Sequence, residues 1–157
     1  LVNAMNIKYI TVILKYTFFI LTLITFSFTA NSESSVEEII KERKAIFSKN
    51  YSTAKKVQTL ASKGDFEKAK KLMFEMSKNY KNLLEYFPKN TMEGFKTEAL
   101  PIIWENKDKF DNLMIKSSND MIQLASIIET SNDSKGTLGK LMWGNCKACH
   151  SKFRAPH

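Results

Sequence analysis

The chain has 157 residues, 25% charged and 43% hydrophobic. That balance excludes wholesale disorder and fits one domain with or without a leader. Five Gly and three Pro are too few breakers for a turn-rich β-sandwich or barrel and point to long helices. Two Cys and two His exclude a disulfide framework and a polynuclear His/Cys metal site.

Residues 1–32 read as an address, with Met5 as the expected start and residues 1–4 as upstream read-through. Lys8 and Lys15 precede an apolar run, Tyr16 to Phe26, and Ala30-Asn31-Ser32 is a small-residue pattern before Glu33. Basic segment, apolar run and small-residue site are the layout of a secretory signal peptide. The competing reading, an uncleaved anchor, needs about 20 apolar residues and the run is shorter. The expected mature domain is 33–157, and losing Lys8 and Lys15 lowers its formal charge from +8 to +6.

That domain reads as four helices. Ser35-Val36-Glu37-Glu38 has capping-box spacing and opens a helix to Ser62, stopped by Lys63-Gly64. Its inner stripe is Val36, Ile40, Arg43, Phe47, Ala54, Val57 and Ala61, with Arg43 its one charge. Asp65 caps a second helix, about 66–87, ended by Pro88, with Phe66, Ala69, Met73, Met76, Tyr80, Leu83 and Phe87 inward. After a long connection over 88–100, Pro101 opens a third helix to about Thr130. Residues 131–134 form a polar turn, and a fourth helix covers about 137–154. The expected fold is all-α, an antiparallel four-helix bundle.

The chemistry is concentrated in Cys146-Lys147-Ala148-Cys149-His150. C-x-x-C-H is the attachment pattern of c-type haem. On a helix the two thiols and the imidazole share one face, so the thiols can form thioethers to the two haem vinyls while His150 ligates the iron. The all-α fold carries a covalently attached haem on this reading, one haem c per chain. A thioredoxin-like use of C-x-x-C wants a βαβ context. A zinc site from Cys146, Cys149, His150 and His157 has no common zinc spacing.

The haem motif with Arg154 after it, Arg43 on the inner stripe, and Thr97 to Trp104 with its Pro-x-x-Trp resemble the cytochrome c-prime family over residues 35–154. The resemblance implies roles residue by residue. Cys146 and Cys149 are the thioether residues and His150 the axial iron ligand. Arg154 is the basic residue one turn beyond it. Arg43 contacts a haem propionate, Lys44 stands where the family commonly has Gln, and Glu98 is an acidic position near the haem. Phe47 lies on the distal face, where the family has an apolar residue or a ligating Met. Trp104 reads as core. A phenyl ring donates nothing to iron, so the resemblance implies a five-coordinate iron binding NO and CO in a distal pocket without hydrogen-bond donors.

The second hypothesis is a six-coordinate, low-spin electron-transfer cytochrome of the same fold. Met/His ligation would favour it, but residues 35–62 contain no Met. The expected setting is the periplasm, with a homodimer through the first two helices and a possible acidic redox partner. The lysines form no stripe suited to nucleic acid, no Ser-His-acid set suggests an enzyme, and no membrane insertion is expected after leader removal.

Overall fold

The computed structural model describes residues 34–156; the leader and His157 lie outside them. Helix α1 spans Val36–Ser62. It opens on a capping box: Ser35 Oγ accepts from the Glu38 amide at 3.2 Å and Glu38 Oε2 accepts from the Ser35 amide at 2.8 Å. Two of the free amides of the first turn are thereby satisfied. Gly64 ends the helix at φ 77°, a backbone that glycine adopts without a Cβ clash.

Helix α2, Phe66–Asn82, continues as a 3-10 turn over Leu83–Tyr86. The expected single helix to 87 therefore changes type at Leu83, where the approach to Pro88 disfavours α geometry. Phe87 has left the helix, at φ −128° and ψ 49°. The connection that follows holds a second 3-10 turn, Lys89–Thr91. Gly94, Phe95 and Lys96 then lie consecutively in the left-handed region, at φ 88°, 48° and 53°.

The expected third helix is two segments, α3 (Ile102–Glu105) and α4 (Lys107–Ile127). They are separated by Asn106 at φ −125° and ψ 48°, a residue type that competes poorly for helix interiors. Trp104 Nε1 donates to the carbonyls of Phe87 and Pro88 at 3.0 and 3.1 Å, tying α3 to the end of the second arm. The fourth arm is also interrupted. It runs as α5 (Ser134–Leu138), a π-helical turn (Gly139–Trp143) and α6 (Gly144–Phe153), where one continuous helix was expected.

Four arms nevertheless enclose one core. Ser77 meets Ser118 at 2.8 Å and Lys70 meets Glu129 at 2.5 Å, so α2 and α4 run antiparallel. Asn145 meets Asp120 and the ring of Phe110 meets that of Phe153, so α4 and α6 do as well. Met73, Met76, Leu83, Phe110, Met114, Met121, Leu124 and Met142 are fully buried between the arms. Sulfur-rich packing of this kind fills irregular space between helices. Among the described residues the β-structure is one isolated bridge, Ala99 to Arg154. No helix among them is long and apolar enough to cross a membrane.

Candidate functional site

Helix α6 carries Cys146, Cys149 and His150. Both thiols are reduced, Cys146 half-buried and Cys149 buried. They occupy i and i+3, with His150 at i+4 from Cys146, so the helix stacks the three on neighbouring positions of one side. His150 is exposed. Burial pushes the Cys149 thiol up to about 12 and raises Cys146 as well. Both are therefore neutral thiols at physiological pH.

The Tyr80 hydroxyl lies 4.0 Å from Cys146 Sγ. Burial first, then the neighbouring Cys146, hold the phenol well above the usual tyrosine range. One residue before the motif, Asn145 Nδ2 donates to Asp120 Oδ2 at 2.9 Å and to the Leu141 carbonyl at 2.7 Å. Lys116 completes the cluster through Asp120 and through Asn145 Oδ1. A buried carboxylate so close to the core needs both partners.

Past α6 the chain turns extended. Arg154 pairs with Glu98, Nε and Nη2 both reaching Oε2 at 2.9 and 2.8 Å. Backbone bonds from Leu100 to Phe153 and from Ala155 to Glu98 flank that pair. Two of the expected site residues are thus partners of each other.

The α1 residues form a second group. Arg43 is 2% exposed. Nη1 donates to the Tyr86 carbonyl and Thr91 Oγ1, Nη2 to the Thr91 carbonyl and Thr97 Oγ1. The guanidinium carbon stands 4.8 Å from the Phe87 ring centre and 5.8 Å from that of Trp104. Burial draws Arg43 down to about 10, and a guanidinium remains protonated at neutral pH. Arg43 therefore anchors the 86–97 connection through neutral acceptors. Lys44 is exposed and donates to the Lys96 carbonyl at 3.1 Å.

Phe47 is half-buried against the core. Its ring meets Phe87 at 6.4 Å, Phe87 meets Phe110 at 4.6 Å, and Phe110 meets Phe153 at 5.3 Å. This run of edge-to-face rings joins the α1 group to the helix bearing the motif. Tyr80 and Phe87 were legible in the sequence only as core. The contacts of Arg43 with Thr91 and Thr97 and of Asp120 with Asn145 left no sequence signal, since those partners lie 25 to 54 residues apart.

The donor set fits a covalently bound haem. Two unpaired thiols and an imidazole on one helical turn are the groups that thioether attachment and iron ligation require. Among the described residues no group of three or more His, Cys, Asp or Glu is placed to hold a metal ion; His157, the fourth residue of the zinc alternative, lies outside them. The interior also holds an unsatisfied polar atom, Asn50 Nδ2, which an entirely apolar interior would lack.

A family model described as Cytochrome C' matches residues 38–154. The chain is 33% identical over 121 residues to cytochrome c' of Rhodopseudomonas palustris, covering 75% of this chain and 82% of the relative. The solved structure of cytochrome c' from Rhodopseudomonas palustris superimposes with a TM-score of 0.62 at 30% identity, covering 75% of this chain and 96% of the other. The Thermochromatium tepidum cytochrome c' superimposes at 0.68 with 22% identity, covering 80% and 100%. A ferrous variant from Alcaligenes xylosoxidans with bound NO has the same fold at a TM-score of 0.67 and 17% identity, covering 79% and 98%. Matched along nearly all its described length by sequence and by fold, this chain belongs to the cytochrome c' family.

Proposed function

We propose that this chain is an exported, periplasmic c-type haem protein whose iron is five-coordinate and binds small neutral gases, a binding protein rather than an enzyme. Cys146 and Cys149 would hold the haem as thioethers and His150 would ligate the iron. The haem supplies an iron with one open position for a diatomic ligand. The protein's part is placement and exclusion. Asn145, bonded to Asp120 and Leu141, holds the turn from which the motif projects.

The observation that carries the reading is the character of α1. Its interior face presents Arg43, Phe47, Asn50, Ala54 and Val57, and none has a thioether or imidazole to occupy a sixth position. Phe47, leaning on Phe87, closes that face with a ring that excludes water. The Arg43 guanidinium, buried with no carboxylate among its bonding partners, supplies the positive charge a propionate would meet.

The electronic spectrum of the purified protein tests this. Ferric and ferrous forms are expected high-spin at neutral pH, and Phe47→Met is expected to convert them to low-spin. A wild-type protein that is already low-spin overturns the reading in favour of a six-coordinate electron carrier. Homodimerisation and an acidic redox partner belong to the same proposal. The lysine excess of the domain supports the latter through electrostatic steering.

A further inference from the structure

Asn50 lies on the interior face of α1, one turn beyond Phe47 and two beyond Arg43, and is 3% exposed. Its Oδ1 accepts from Asn79 Nδ2 at 2.8 Å. Its own Nδ2 is buried without a hydrogen-bond partner, the single side-chain N or O atom in that condition among the described residues. Buried amide donors are almost always paired, and leaving one unpaired costs stability. A folded chain that keeps such a donor has a reason to keep it.

Its place says what the reason is. Asn79, which orients Asn50, is followed on α2 by Tyr80, whose hydroxyl approaches Cys146 Sγ. Tyr51, next to Asn50 on α1, packs its ring 6.1 Å from that of Trp143, three residues before Cys146. Both helices flanking the amide are therefore tied to the segment that carries the first thiol. Along α1, a rise of about 1.5 Å per residue puts Asn50 about 4.5 Å past Phe47. The unpaired N–H thus belongs to the turn of α1 that follows Phe47, on the interior face they share.

We propose that Asn50 Nδ2 is the hydrogen-bond donor to a diatomic ligand bound on the Phe47 side, with Asn79 holding the amide in orientation. The inference rests on the gas-binding function proposed above and departs from the donor-free pocket that the resemblance implies. A pocket closed by Phe47 alone would offer no donor. With Asn50 it offers one, fixed in direction before any ligand arrives. A donor of this kind favours ligands that carry partial negative charge on the outer atom, so nitric oxide gains more from it than carbon monoxide does.

The test uses the haem-loaded protein. In Asn50→Leu the C–O stretch of the ferrous carbon monoxide complex is expected at higher wavenumber. Nitric oxide is expected to dissociate about tenfold faster, the fold-change of one hydrogen bond. Asn79→Leu, which releases Oδ1 and lets the amide turn, is expected to give a smaller change in the same direction. Should Asn50→Leu fail to fold, the wild type answers alone: exchange into heavy water is expected to shift the vibrations of bound nitric oxide, through the N–D of Asn50, and Asn79→Leu to diminish that shift. Unmoved frequencies and rates in a high-spin protein that binds both gases overturn the donor while leaving the proposed function standing. A low-spin wild type overturns both.

Discussion

Asn145 Nδ2 donates to Asp120 Oδ2 at 2.9 Å, which fastens the residue before the first motif cysteine to the middle of α4. Asp120 is 8% exposed and Asn145 4%, so neither end of the bond can exchange its partner for bulk water. Asn145→Ala removes this bond and the one to Leu141, leaving Asp120 dependent on Lys116. The expected loss is about 1–3 kcal/mol, the cost of a buried polar group left short of partners. Urea denaturation would show it as a lower midpoint with unchanged slope, and an unchanged midpoint would refute it.

Arg43 has a structural task apart from any ligand. Its bonds to Tyr86, Thr91 and Thr97 hold together a connection that contains three successive left-handed residues. Hydrogen bonds from a charged donor contribute about 1.5–3 kcal/mol. Arg43→Ala is expected to cost at least that much and to loosen residues 88–97 first. Hydrogen exchange should report faster exchange of the Thr91 and Thr97 amides while those of α4 stay protected.

The Arg154–Glu98 pair should matter little to stability. Its two side chains are 33% and 44% exposed, where water screens the attraction. Glu98→Gln is expected to cost about 0–1 kcal/mol, because the backbone bonds Leu100 to Phe153 and Ala155 to Glu98 persist. Thermal unfolding measures it, and a loss well above that range would refute the expectation.

Tyr80 sets an alkaline limit. Burial raises its pKa in the folded state, so the folded chain keeps the phenol proton after the unfolded chain has lost it at about pH 10. The folded state then binds more protons, and stability falls as pH rises above that point. Below it both states are protonated and Tyr80 contributes no pH dependence. Tyr80→Phe is expected to flatten the decline between about pH 10 and 11, measured by urea midpoints. An equal slope in the variant would assign the decline to other groups.

Phe47 should govern ligand entry. With the ring resting on Phe87, a ligand must displace it. Phe47→Ala is expected to speed carbon monoxide binding at least tenfold in flash photolysis. A rate equal to wild type would place the barrier elsewhere.

Much of this fold was legible because local chemistry and tertiary packing agree. Ser35, Glu38, Gly64 and Asp65 mark helix ends by bonds made within a few residues, and the apolar stripes of α1 and α2 point at the core that exists. The breaks were not legible. Asn106 interrupts a good helical pattern because Trp104 is held by carbonyls of a distant turn. The motif announced Cys146, Cys149 and His150 by spacing alone. Asn50, Ser77, Ser118 and Asp120 pair across helices. Those cross-helix partners lie 25 to 41 residues away, a distance over which periodicity carries no information. Arg43 was visible as an anomaly on its stripe, but its threonine partners were not.

The π-helical turn over Gly139–Trp143 acts as a phase adjuster for everything after it. Such a turn accommodates one residue more than an α-helix would, and each residue advances an α-helix by about 100°. The angular position of Cys146, Cys149 and His150 relative to Leu138 is therefore set by a register offset as much as by the motif itself. Shortening the 139–143 segment by one residue would leave C-x-x-C-H intact on paper and swing its face by about a quarter-turn. A graft of the last twenty residues onto a regular four-helix scaffold would have to carry this offset with it.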